Sequence, residues 1–226
     1  MLERLTAERI GRRELWPLDP GAWDEDTFYD LIEMVHDLVA RPRDRWTHDF
    51  GDCGFHYGSF AVRTGQAVYR WRVNELLARH GADVRLADNG EDAGRLVHIA
   101  GDDRDELVER ALATPDPRDR DAVRHAIALF RGRGATREEK RSAAAALARV
   151  LEDRRALLKQ ELFSKDEGAL FQIANEFDIR HRGVRGPHGK AQQEDYADVF
   201  LDWVFWWYLA TVELTDRLLA EQSSTP

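Results

Sequence analysis

The chain has 226 residues, 43% apolar, 33% charged and 10% aromatic, which is enough apolar material for one large domain or two small ones with a buried core. A formal net charge of −9 at pH 7 excludes a polycation built to coat nucleic acid, so any nucleic-acid contact must come from a local patch. The single cysteine, Cys53, excludes a disulfide-stapled secreted scaffold, and the charged start Met1-Leu2-Glu3-Arg4-Leu5 has no apolar h-region, which predicts a cytoplasmic protein.

Residues up to about Gly21 read as an arm or short helix. A helix follows, with Asp24 or Asp26 as cap and Phe28, Leu31, Ile32, Val35 and Leu38 at helical spacing, ending before Pro42. Residues 47–59 read as a Gly-rich loop holding His48, Cys53 and His56. A second helix is predicted over about 60–80, with Ala67, Val68, Trp71, Leu76 and Leu77 inward and Gly81 as its stop. The period then changes. Val84-Arg85-Leu86, the turn Asp88-Asn89-Gly90 and Leu96-Val97-His98-Ile99 predict a small hairpin.

Beyond Gly101 the pattern is helical throughout. Helices are predicted over about 103–113 and 119–131. Thr136-Arg-Glu-Glu139, a capping box in form, opens a long helix reaching about Leu162, with a stripe of Ala144, Leu147, Ala148, Leu151, Leu158 and Leu162. Ser164-Lys-Asp-Glu167 opens a shorter helix ending near Arg182-Gly183, and the last helix covers about 195–221. Its run from Val199 to Leu209 is apolar nearly all round, yet too short for a bilayer and interrupted by Asp202. Trp206 and Trp207 lie about 100° apart on that helix, which predicts a homodimer through it. The fold class is mainly α, a helical bundle with a small β-hairpin near residues 83–99. Two regions are expected, 1–135 and a C-terminal helical module over 136–226.

Chemistry concentrates between 175 and 196. Arg180, Arg182, Arg185 and Lys190, with His181 and His188, stand in a stretch that has no acid from 179 to 193 and has glycines at 183, 186 and 189. On a helix, Leu170, Ile173, Ala174, Phe177 and His181 form one stripe, while Asn175, Asp178 and Arg182 share another face. Basic residues in a last helical turn also suit the macrodipole without any further role. Arginine outnumbers lysine 29 to four, and the spacing Arg-x4–6-His recurs before His48 and His125. Location, not spacing, therefore singles out this segment.

The block from Lys165 to Arg182, the polar loop with Tyr196, and Phe200-Leu-Asp-Trp-Val-Phe-Trp-Trp-Tyr-Leu-Ala-Thr211 resemble the C-terminal region of abortive-infection-type bacterial proteins, which in turn resemble the HEPN superfamily. The resemblance covers about 140–220. It implies a helical, metal-independent RNase or RNA-binding module of a defence or toxin–antitoxin type, working as a homodimer without a cofactor. The HEPN pattern of Arg, then His after four to six residues, maps onto Arg182 and His188. The abortive-infection-type pattern maps instead onto Asn175, Arg180 and His181, and the choice between His181 and His188 stays open. Arg185, Lys190 and Tyr196 would then contact the nucleic acid.

A second constellation is His48, Cys53 and His56, ligand types that zinc accepts. Its spacing matches no common finger, so no metal is expected and this set is kept only as an alternative. The rival functional reading is a catalytically inactive helical protein that dimerises or holds a protein partner through the same helices.

Overall fold

Side-chain caps start several helices where the sequence predicts them. In the computed structural model, which describes residues 2–12, 15, 18–47, 51, 53–162, 164–176 and 198–224, Asp24 accepts a 2.8 Å hydrogen bond from the Thr27 amide and starts helix α2 (Glu25–Leu38). Thr136 with Glu139 forms a complete capping box on α6 (Arg137–Asp153), while α5 (Pro117–Arg131) starts two residues before the predicted Asp119, capped by Asp116. The fold is mainly helical with a small hairpin, as the sequence implies.

The chain divides into two units, Met1–His98 and Ile99–Pro226. The sequence reading draws the division at 135/136 instead, but α4 (Asp102–Leu112) and α5 share one buried cluster with α6 and the last helix.

In the first unit, α1 (Leu2–Arg9) packs on α2, and α3 (Val62–Arg79) packs beside it. Strands β3 (Val84–Leu86) and β4 (Leu96–His98) form the predicted hairpin, Val84 opposite His98 and Leu86 opposite Leu96. The core holds Tyr29, Ile32, Leu77, Val84, Leu86 and Leu96. Polar side chains fasten it. Asn74 donates to the Leu86 carbonyl at 3.0 Å and accepts from its amide at 2.7 Å, while Glu33 accepts from the Leu96 amide at 2.8 Å. The Tyr69 hydroxyl donates to the Ile32 carbonyl, and burial pushes its pKa up to about 12.

Two predicted inward faces are corrected. In α3 the core side is Gly65, Tyr69, Val73 and Leu77, whereas Val68, Trp71 and Leu76 are exposed and only Leu77 of the predicted set is buried. Gly65 explains the rotation: a Cβ there would strike the backbone of Ala40 and Arg41, so this face lies against the chain leaving α2. In α2 the buried residues are Thr27, Tyr29, Ile32, Met34 and His36, with Phe28 and Leu38 exposed.

The sequence reading also lacks a second sheet. Strands β1 (Arg41–Thr47) and β2 (Phe55–Ala61) form an antiparallel ribbon in place of much of the predicted Gly-rich loop. Every described residue of β1 is exposed.

In the second unit α5, α6 and α9 (Asp198–Ser224) surround a core of Val123, Ile127, Leu147, Leu151, Phe205 and Tyr208, with α4 packed on α9. Phe130 and Phe205 stack with centroids 3.7 Å apart, worth about 1 kcal/mol beyond the area they bury. The predicted helix over 137–162 is two helices, α6 and α7 (Arg155–Glu161), with Arg154 between them. No breaker residue marks that junction. Arg154 is drawn inward to Asp119 of α5 and to Thr215, Asp216 and the Val212 carbonyl of α9. Helix α8 (Ser164–Glu176) is held by the Tyr208 hydroxyl donating to the Leu170 carbonyl at 2.9 Å.

Candidate functional site

Arg180, His181, Arg182, Arg185, His188, Lys190 and Tyr196 lie outside the described residues, and so does His48. Asn175 sits in the last turn of α8. What the structure gives is the setting on either side of this segment: α8 up to Glu176 and α9 from Asp198.

The start of α9 carries an aromatic shelf. One side of the helix, Leu201, Val204, Phe205 and Tyr208, is fully buried by α6 and its neighbours. The other presents Val199, Phe200 and Trp203, at 65%, 45% and 49% exposure. Trp203 and Trp207, one turn apart, stack with ring centroids 5.5 Å apart. Arg104 of α4 places its guanidinium carbon 5.1 Å from the Trp206 ring centre. Together Arg104, Val199, Asp202, Trp203, Trp206 and Trp207 line a recess of about 440 Å³.

Electrostatics near the shelf are mixed. Asp202 pairs with Lys140 at 3.2 Å and Asp198 with Arg137 at 3.5 Å, which fixes the first turns of α6 and α9 to each other. Arg104 has no carboxylate partner among the described residues. No local signal could have revealed Arg104, because its contact joins helices about a hundred residues apart.

The steric premise for a dimer changes here. Trp206 and Trp207 both pack partly against the same core, Trp206 edge-on to Phe130 at 5.7 Å and Trp207 against Tyr208. What α9 leaves uncovered lies earlier, at Val199, Phe200 and Trp203.

Of the alternative ligand set, Cys53 is exposed, and His56 is half-buried and stacked on Trp46 with centroids 5.9 Å apart. Among the described residues no three histidines, cysteines or carboxylates come close enough together to hold a metal ion. Among them also, no helix is long and apolar enough to cross a membrane.

The first unit holds a polar cluster around a buried histidine that the sequence did not suggest. His36, 4% exposed, meets Arg70 at 3.0 Å through Nε2 and Asp37 at 3.4 Å through Nδ1. Burial lowers the His36 pKa, the nearby Arg70 charge adds to this, and the hydrogen bond to Asp37 opposes it. A neutral ring accepting from Arg70 and donating to Asp37 satisfies all three groups. Burial raises the Asp37 carboxyl, but the Arg95 guanidinium, 2.9 Å away, outweighs it and holds the pKa below the usual range. With both ring nitrogens engaged, His36 ties α2 to Arg70 of α3.

No protein-family model matches the chain, and neither the curated proteins nor the solved structures include a significant match to it.

Proposed function

We propose that the C-terminal unit is an RNA-directed module of HEPN type, a metal-independent endoribonuclease of bacterial defence whose reacting groups come from the segment between α8 and α9. The observation that carries the reading is the aromatic shelf. Stacked, half-exposed indoles and an unpaired guanidinium stand at the start of the helix into which the cation-rich stretch 180–190 runs. Exposed rings beside guanidiniums are a common means of holding unpaired bases. The resemblance over about 140–220 supplies the family and the biological setting.

The chemistry is transesterification. His181 or His188 takes the proton from the RNA 2′-hydroxyl, the 2′-oxygen bonds to phosphorus as the P–O5′ bond breaks, and the protonated imidazole returns a proton to the departing 5′-oxygen. Arg180 or Arg182 offsets the charge that builds on the phosphate, and Arg185 and Lys190 hold the backbone on either side. Because the RNA provides its own nucleophile, cleavage by the full chain is expected to survive EDTA. It is expected to fall by at least about 100-fold in His181→Ala or His188→Ala, the usual scale for losing a general acid or base. Unchanged cleavage in both variants overturns the reading.

A second reading, a catalytically inactive dimerisation protein, draws on Val199, Phe200 and Trp203 as an uncovered apolar strip. Under it Trp203→Asp converts a dimer to a monomer in sedimentation, and neither histidine variant has any enzymatic effect.

A further inference from the structure

The β1–β2 ribbon has a composition unlike the rest of the first unit. Strand alternation places Arg41, Arg43 and Arg45 on one face of β1, each about 6.8 Å from the next. The register sets Tyr57 opposite Arg45 and Phe55 opposite Thr47, on that same face. The Arg45 guanidinium lies 4.3 Å from the Phe55 ring centre, and both rings are about half exposed, at 54% and 49%. Neither strand contributes a carboxylate to this face. Asp44 stands on the other one, opposite Gly58, beside the Trp46–His56 stack.

The absence of pairing is concentrated on the ribbon: among the first unit's other described arginines, Arg63 alone likewise meets no carboxylate. Arg4, Arg9, Arg12, Arg70, Arg72, Arg79, Arg85 and Arg95 each meet a carboxylate within 4 Å. Arg41, Arg43 and Arg45 meet none among the described residues, in a protein with an excess of acid. Charge on an exposed strand does keep ribbons from joining edge to edge. That purpose does not account for exposed Phe55 and Tyr57 on the same side.

We propose that this ribbon binds a single-stranded polynucleotide, with Arg41, Arg43 and Arg45 on successive phosphates and Phe55 and Tyr57 stacking on bases. Charge complementarity selects a polyanion, and the interleaved rings select one whose bases are unpaired. A second copy of the chain fits poorly. Antiparallel pairing of β1 with its own symmetry mate would oppose one arginine row to another, and like charges directly across a ladder repel. The site is independent of the RNase reading, since it lies in the other unit and is tested by binding rather than cleavage.

The test is fluorescence anisotropy of the full chain with a labelled oligouridylate of about 16 nucleotides across a salt series. For Arg41→Gln/Arg43→Gln/Arg45→Gln, the slope of log K against log salt is expected to flatten by about 2, from three lost phosphate contacts on a single strand. The triple lysine variant keeps the charge and is expected to keep the slope, which separates lost contacts from a misfolded ribbon. Phe55→Ala and Tyr57→Ala are each expected to weaken binding about tenfold with the slope unchanged.

An unaltered slope in the glutamine variant overturns the proposal. So does equal affinity for oligoglutamate, which would mark an acidic-protein site, or tighter binding of duplex of the same length. Loss of self-association in the glutamine variant without any oligouridylate binding by the parent chain also overturns it. His181→Ala and His188→Ala are expected to leave the ribbon's salt slope intact, so failure of the nuclease reading and failure of this one are read separately.

Discussion

Removing Arg154 should unfasten the second unit. Its side chain is 7% exposed and reaches three places at once: Asp119 at 2.7 and 2.8 Å, Asp216 at 2.8 Å, and Thr215 with the Val212 carbonyl at 2.6 and 3.2 Å. Asp119 and Asp216 are themselves only 19% and 13% exposed. In Arg154→Ala both carboxylates stay behind with poor access to water, and among the described residues Asp216 keeps the hydroxyl of Thr114 at 2.9 Å. Breaking a buried ion pair by deleting one partner costs about 3–5 kcal/mol, well above a surface pair such as Arg4 with Glu8. At about 4 °C per kcal/mol for a unit of this size, the transition should fall by roughly 12–20 °C.

Equilibrium urea unfolding followed by far-ultraviolet circular dichroism measures the loss directly. Adding Asp119→Asn and Asp216→Asn to Arg154→Ala should recover part of it, because the stranded charges are then gone. An Arg154→Ala protein within about 1 kcal/mol of the parent would refute the reasoning.

Two further outcomes concern the first unit. His36 has a folded-state pKa below its ordinary 6.5, so the unfolded chain takes up its proton first as pH falls. The stability it contributes is complete above about pH 6.5 and drains away below it, while Asp37, lowered from 3.8, adds its own loss only in stronger acid. Urea midpoints recorded against pH should therefore decline from about 6.5 downward in the parent and less steeply in His36→Gln; parallel curves would exclude His36 as the cause. Gly94 sits at φ +82° with its α-carbon beneath the His36 ring, and a methyl group there would overlap the imidazole. Gly94→Ala should cost about 3 kcal/mol or more from strain and overpacking together, whereas Gly101→Ala, at φ +96° in open space, should cost about 1. Equal losses in urea titrations of the two would show that the ring does not matter.

Caps and local periodicity made most of the second unit legible. Thr136 with Glu139 and the stripe Ala144, Leu147, Ala148, Leu151 and Leu158 are short-range signals that hold, with Leu162 of the same stripe only partly buried; the helix predicted from Asp119 begins instead at Pro117, capped by Asp116. Where partners are distant, the sequence misled. Nothing between 137 and 162 marks Arg154 as a break, because its cause lies on α5 and α9. The rotation of α3 follows from Gly65 meeting the backbone at Ala40, a contact no hydrophobic count contains. The ribbon escaped notice because β1 reads Arg-Pro-Arg-Asp-Arg-Trp-Thr, with Pro42 and alternating charge in place of the apolar alternation of a half-buried strand. At the candidate site, the charged stretch was visible as composition, while the shelf required α4 and α9 to be brought together.

Helix α9 forms one wall of the second unit's core, and it is synthesised after α4, α5 and α6, the helices it packs on. Until about residue 212 has left the ribosome, Ile127, Leu147 and Leu151 have no ring or branched chain of α9 against them. At about 5–20 residues per second, translation from the end of α6 to that point takes roughly 3–12 seconds. For that interval the nascent polypeptide displays an oily trough of helical length, a surface that chaperones bind and that the α9 of a neighbouring chain on a polysome could fill.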